Sequence, residues 1–558
     1  MSIKTFPENT AKDISLYLMN LLSPNGAVAT YISRPDWISG HIKRLIEIQN
    51  KWLNFSGMYA RVDDDEQRKL RNLFDIHYGE DSVYSQGVDL GVVPHYADLE
   101  EGAKASVEHA LREGLFGNVM CTSTLAQGVN IPIRYLLITA FDGYHRDMKA
   151  RELLNLVGRT ARSGMHSEGS VIITDTKLYA ERNSMRGYQF GSGGRVEWNK
   201  KTALFVPQNS EPCGSSIRAI IEPFFIHKAY KLYCLKDEIL AAVESGDTGF
   251  KKLRQDEIKS CGKISADFGK RDKVVTNILR FLDSVKHTLD AIESHLSFLI
   301  SINTGDDDSI ELLTDELCES TLAYAFSNEE EKAFLIKLFR AIAKNVVENM
   351  DKINPDFQAK AMTGIQNTLA IMQWIADNIS DLEDKSADEI LELIIPLYRD
   401  VVESTEYSDE AILSISQRWI NGEPLCNIYN EVENILPDRQ DIISLEKFCH
   451  KNIAYSFSFL VVNIIDLFED ISDTIKQQLQ VLQKRLKYGL RTVFQINTFE
   501  KGLTDRHIVG QICDILRFDD NIDPNLIVGK LRSVKDEIKE LLQDYPSFFE
   551  REFERICR

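Results

Sequence analysis

Residues Val119–Pro132 read Val-Met-Cys-Thr-Ser-Thr-Leu-Ala-Gln-Gly-Val-Asn-Ile-Pro: an apolar run, three short hydroxyl side chains, then a glycine. An apolar run bounded by turn-forming residues predicts a buried strand that stops where the hydroxyls begin. Three more runs read the same way, Ala27–Ile32, Tyr135–Ala140 and Ser170–Thr174. Helical spacing lies between them at Asp36–Gln49, Asp65–Phe74, Leu99–Arg112 and Lys149–Val157. Strands alternating with helices predict an α/β domain with a mainly parallel sheet, here over residues 1–185. Ligands of such sheets bind outside the strands' carboxyl ends, which is where Thr122, Ser123 and Thr124 fall.

Downstream the pattern changes. Of 30 glycines, 22 lie in residues 1–265. Residues 186–215, with Gly191-Ser192-Gly193-Gly194, have neither period and are expected to be a loop or linker. From about residue 216 to residue 558 the spacing is helical almost throughout, as in Phe281, Val285, Leu289, Ile292, Leu296 and Leu299. The expected architecture is therefore an α/β domain followed by a large all-α accessory region with more than one subdomain.

Composition bounds the class. The 558 residues carry a net charge of −20, with 43% apolar and 27% charged side chains, as in an ordinary globular protein. The acidity is local. Residues 301–450 hold 11 basic and 31 acidic side chains, whereas residues 1–215 hold 24 and 25. A polyanion partner is thus not excluded for the first part, and residues 301–450 suit a basic partner. The apolar stretch Phe457–Phe468 is broken by Asn463 and Asp466 and is shorter than the roughly 20 residues of a membrane span. Nine cysteines without a Cys-x-x-Cys pair indicate neither a disulfide framework nor a zinc cluster, and point to a reducing, cytoplasmic compartment.

The chemistry concentrates between His95 and Gly169. Hydroxyls and free backbone N–H groups at Thr122–Thr124 suit phosphate oxygens. Gly128 permits close backbone approach, and Asn130 offers an amide two residues on. Arg159 and Arg162, three apart on or just after a helix, present two guanidiniums on one face. Such a pair suits a transferring phosphoryl group, whose charge grows on its oxygens. Singly these residues read more simply as a helix cap and solvated charge; their order and spacing together carry the signal.

In that order, GVVPHYADL (Gly91–Leu99), TSTLAQGVNIP (Thr122–Pro132) and NLVGRTAR (Asn155–Arg162) resemble the second RecA-like domain of superfamily-two helicases, closest to the Ski-type branch. The resemblance covers about residues 10–180. It implies that Thr122, Ser123 and Thr124, together with Arg34 after the strand Ala27–Ile32, contact a nucleic-acid backbone, DNA or RNA. It implies that Gly128, Asn130 and Gly158 lie near bound ATP, and that Arg159 and Arg162 reach its phosphates, one as the arginine finger. Three features depart from the family pattern. Asn155 replaces a glutamine, Ala161 a glycine between the arginines, and Tyr96 and Asp98 a histidine and a glycine.

A motor of this kind also needs a first domain with a phosphate-cradling Gly-x-x-x-x-Gly-Lys-Ser/Thr loop and an acidic pair that holds Mg²⁺. Gly262-Lys263, Gly269-Lys270 and Gly529-Lys530 are followed by Ile264, Arg271 and Leu531, so none fits. Asp63-Asp64-Asp65-Glu66 reads as a helix N-terminus. The expectation is half of an ATPase site, inactive alone. The other half would lie in a longer frame or in a separate P-loop polypeptide, unless the chain is a non-catalytic acidic helical scaffold. Two basic stretches, Lys251–Lys286 and Lys476–Arg491, are expected to extend a nucleic-acid path.

Overall fold

The structure is a computed structural model. It describes residues 6–558 apart from 52–54, 127–130, 132, 142–147, 161–167, 185–193, 208–214, 226–231, 248, 266–270, 303–306, 350–362, 379–381, 383–384, 403–405, 438–439, 469–470 and 517–525. The chain forms two compact units. The first comprises Met1–Glu211, Glu410–Tyr455 and Lys484–Arg558, the second Pro212–Asp409 and Ser456–Gln483.

In the first unit, helix α1 (Ala11–Leu22) is capped by Thr10, whose hydroxyl accepts from Asp13 N. Strand β1 (Val28–Tyr31) follows, then α2 (Pro35–Gln49), α3 (Asp64–Tyr78) and α4 (Val83–Asp89). Next come β2 (Val93–His95), α5 (Glu101–Glu113), β3 (Asn118–Cys121), β4 (Tyr135–Ile138), α6 (Ala150–Val157) and β5 (Ser170–Ile173). The five strands pair in the order β2-β3-β1-β4-β5, every neighbour parallel. Parallel strands need crossover connections, and helices on the sheet faces bury the apolar strands. Hence Val28, Ala29, Met120, Cys121, Leu136 and Leu137 are fully buried or nearly so. Cys121 is the small buried hydrophobe its strand position predicts, and burial pushes its thiol pKa up. The first strand lies in the middle, and the chain crosses over it between β3 and β4. The order therefore reverses between β1 and β4, the switch point where open sheets form crevices.

All four expected strands form. The short β2, containing Pro94, and the helices α1 and α4 went unread. The stretch expected as a loop over 186–215 contains a helix, α8 (Gly194–Ala203), preceded by the short α7 (Thr176–Ala180). After the short helix Arg218–Ile221, the region expected to be all-helical from 216 contains a two-stranded antiparallel pair, Phe224–Phe225 with Leu232–Tyr233, where Phe224 stacks on Phe281 at 3.8 Å between centroids. Two residues per strand are too few to show a period.

The rest of the second unit is helical. Leu282, Val285, Leu289, Leu296, Leu335, Leu338 and Ile342 form its core. Its long helix Arg271–Ile302 packs against Glu329–Asn349. The acidic segment 301–450 is divided at Asp409 between the two units and is not one compact body. No helix among the described residues is long and apolar enough to cross a membrane.

Candidate nucleic-acid interface

The carboxyl edge of the sheet carries Thr122, Ser123 and Thr124 after β3 and Arg34 after β1. Thr122 leaves β3 with its N–H donating to His95 O at 3.1 Å, which ties the end of β3 to the end of β2. Its hydroxyl lies 3.1 Å from that of Thr124. The chain then turns through the short helical segment Ser123–Ala126, with Leu125 N donating to Thr122 O. Ser123 and Thr124 are half-buried, whereas Thr122 is buried. Along the same edge the Thr139 hydroxyl donates to Tyr31 O at 2.9 Å, so it serves the sheet itself.

Arg34 follows β1. It is the extended N-cap residue of α2, and Pro35 starts that helix without needing an N–H partner. Its guanidinium is forked onto Asp36 at 2.8 and 2.6 Å and lies 5.3 Å from the Trp37 ring centre. The pair is solvent-facing, so a phosphate competes for this guanidinium at small cost.

Helix α6 packs against the Ser123–Ala126 turn. Gly158 ends α6 with its N–H on Leu154 O, and half-buried Arg159 follows, its N–H on Leu156 O at 3.1 Å. Thr160 then forms a parallel bridge with Ile133. Helix α6 thus rests on the hydroxyl turn, and the residues that follow it run beside Ile133, just before β4 begins. Gly128, Asn130 and Arg162 lie outside the described residues. Arg159 is a half-buried cation whose chemistry suits an anionic phosphate.

Nothing similar fits Mg²⁺. Among the described residues no cluster of His, Cys, Asp or Glu could hold a metal. Asp63 caps α3 by accepting from Glu66 N at 3.0 Å, as its position predicts. Asp65 pairs with Lys69 and Arg68, and both pairs hold its carboxyl below the usual range. Glu66 is buried and accepts from Ser547 N at 3.1 Å.

A second polar constellation lies within the first unit, inside the protein. Tyr78 and Tyr96 donate their hydroxyls to Glu446, on the helix Ile442–Phe448. Glu446 also accepts from Glu100 N at 3.0 Å. The Glu100 carboxylate receives Arg506 Nε at 2.9 Å, and the Arg506 guanidinium lies 3.8 Å from the Trp419 ring centre. His77 Nε2 lies 2.8 Å from Asp505 Oδ2, both fully buried. Burial pushes Glu446 up to about 8 despite its hydroxyl donors. Burial works the same way on Glu100, but Arg506, with His450 and His77, holds that carboxyl well below the usual range. For His77, burial lowers the pKa and the Asp505 carboxylate outweighs it, leaving it raised. Gly102 is needed here, since a Cβ would stand 2.2 Å from Asp505 Oδ2.

Known proteins with related sequences bear on the motif region. The ATP-dependent DNA helicase Hel308 of Aeropyrum pernix is 32% identical over 114 residues, covering 20% of this chain and 16% of its own length. The Helicase POLQ-like protein of Caenorhabditis elegans is 40% identical over 93 residues, 16% of this chain and 10% of its own. This chain contains a helicase-related region. The Hachiman protein HamB of Bacillus cereus is 21% identical over 558 aligned positions, covering 93% of this chain and 44% of that protein. The chain spans less than half the length of each of these relatives. No family model matches it.

One departure from the helicase pattern now has a physical reason. A histidine in place of Tyr96 would put a shorter ring at a site 1% exposed, and its reach to Glu446 would be lost. His95 is buried, with Nε2 2.9 Å from Glu108 Oε1. Asn155 is exposed on α6 and contributes nothing to its packing.

The basic stretches are partly neutralised. In the second unit, Arg254 pairs with Asp283 at 2.5 Å and Lys286 with Asp290 at 2.7 Å, while Lys251 and Lys252 are exposed. In the first unit, Lys484 is exposed, Arg485 reaches Asn421 Oδ1 at 3.4 Å and Lys487 lies over Tyr488.

Proposed function

We propose that this chain supplies one half of an ATP-driven nucleic-acid motor: a RecA-like second domain that contacts the strand backbone and presents arginines to ATP bound by a P-loop domain. The observation that carries this reading is the packing of α6, which leads into Gly158 and Arg159, against the Ser123–Ala126 turn. The helicase relationship of this region supports it. Thr122, Ser123, Thr124 and Arg34 hold phosphates by hydroxyl and guanidinium donation, without reading bases. Gly128, Asn130 and Gly158 border the nucleotide, and Arg159 and Arg162 face the phosphate charge that builds during transfer. ATP, when bound, supplies the free energy of phosphoryl transfer. Mg²⁺ belongs to the P-loop half, whose acidic pair holds it. The exposed lysines of the two basic stretches add salt-sensitive phosphate contacts.

The test is ATP hydrolysis by the pure chain, then by the chain mixed with a P-loop polypeptide carrying an acidic pair. No turnover is expected alone. Turnover in the mixture should fall by about 10³-fold or more when the arginine finger, Arg159 or Arg162, is replaced by alanine. Hydrolysis by the chain alone that depends on either arginine would overturn the half-site, and undiminished turnover in both variants would overturn the arginine roles.

A further inference from the structure

Beyond β5 the edge of the sheet carries side chains that the motif reading does not use. Asp175 Oδ1 accepts from Lys177 N at 3.0 Å and Leu178 N at 3.4 Å, so α7 starts directly at the strand's carboxyl end. Leu178 is buried beneath it, and Tyr179, the next residue, is 58% exposed. Arg182 donates Nη1 to Tyr179 O at 2.8 Å, which holds its guanidinium 3.8 Å from the Tyr179 ring centre. Trp198 of α8 meets the same ring edge-on, at 5.8 Å and 73°. Arg195 N donates to Ser184 O at 2.9 Å, fastening the start of α8 to the end of the α7 segment.

A single exposed tyrosine is ordinary. This one is held by a cation on its ring and a perpendicular indole at its edge, and it still leaves over half its surface open. A fixed, open π-face beside a cation suits a planar, anionic-backbone ligand. The local charge agrees. Residues 176–203 hold six basic and two acidic side chains in a chain of net charge −20. The position agrees too. In the order β3-β1-β4-β5, the end of β5 lies three strand spacings from the end of β3, roughly 14 Å. A strand whose phosphates rest on Thr122–Thr124 therefore has Tyr179 within a few nucleotides.

We propose that Tyr179, oriented by Arg182 and Trp198, is a stacking platform for a base of single-stranded nucleic acid lying along the carboxyl edge of the sheet. This rests on the nucleic-acid reading above and adds to it a base contact that is indifferent to sequence, because every base has a π-face.

The test uses the full chain and two fluorescent probes of twelve residues, an oligothymidylate and the same backbone without bases. The wild type should bind the oligothymidylate more tightly than the abasic backbone. Tyr179→Ala should weaken oligothymidylate binding about 5- to 100-fold and erase that preference. Tyr179→Phe should keep it, and the slope of log affinity against log salt should be the same in all three proteins, because no phosphate contact is removed. The site's exposure leaves the fold of Tyr179→Ala intact, checked by an unchanged melting temperature. Equal affinity of Tyr179→Ala and wild type, or an equal loss on both probes, overturns the platform while leaving the motor reading in place. Weakened ATP binding with unaltered oligothymidylate binding also overturns it. No binding of either probe by the wild type overturns both.

Discussion

The first unit contains two polar constellations built on opposite principles. At the carboxyl edge, Arg34, Ser123 and Thr124 stand at least partly in solvent, and Arg34 is held by an exposed ion pair. In the interior, Glu100, Glu446, Arg506, His77 and Asp505 are each at most 3% exposed and bonded to one another. The interior set joins His77 of α3 and Glu100, just before α5, to Glu446, Asp505 and Arg506, between 346 and 428 residues away. Polar residues gathered in one place therefore do not by themselves mark a site. Buried groups bonded across elements hold those elements together, whereas groups left facing solvent at strand ends remain available to a ligand.

The sharpest way to break this contrast is to remove one interior charge. Arg506→Met leaves Glu100 buried without its guanidinium partner and should cost about 3–5 kcal/mol, read from urea midpoints. A loss under 1 kcal/mol would mean that the cluster is not what fastens the C-terminal helices to the α/β domain. Next in size is the pH response of Glu446. Its carboxyl is held near 8 in the folded chain and lies in the ordinary carboxylate range when unfolded. The folded state therefore keeps the proton that the unfolded state gives up. This contribution is complete below the unfolded pKa and is lost as pH rises towards 8. The loss approaches about 1 kcal/mol per pH unit between pH 5 and 8. His77, raised by Asp505, adds a loss of the same sign; Glu100, held low, changes only at more acid pH. Glu446→Gln should flatten the dependence over that window. An unchanged slope would show that Glu446 is ionised in the fold. The smallest effect belongs to the edge. Arg34→Ala should alter stability by less than about 0.5 kcal/mol, since its ion pair is exposed. It should reduce the salt slope of single-strand binding by about one unit. Loss of stability without any change in slope would place Arg34 with the interior set.

Much of the α/β domain was legible because strand and helix periods alternate cleanly, and buried parallel strands are nearly continuous apolar runs. β2 escaped because three residues containing Pro94 show no period. α8 escaped because its polar sequence, Gly-Arg-Val-Glu-Trp-Asn-Lys-Lys-Thr-Ala, has no apolar face and follows a run of glycines. The motif residues were readable because they lie in three short stretches with characteristic order. Tyr179 and Trp198 were not, since nineteen positions and a glycine-rich segment separate them and no spacing rule pairs them.

By itself the sequence determined that the first third alternates strands and helices, that hydroxyls follow one strand and arginines one helix, and that negative charge collects in residues 301–450. These are properties of neighbouring residues, and neighbours fix local period, turns and charge. Only the tertiary structure decided that β1 lies in the middle of the sheet, that the Ser123–Ala126 turn packs against α6, and that the helices within Glu410–Tyr455 and Lys484–Arg558 belong to the unit of the α/β domain. It also decided that Tyr96 donates its hydroxyl to Glu446, a buried carboxyl 350 residues away. Burial and partnership between distant residues depend on how the whole chain packs, and no local pattern encodes them.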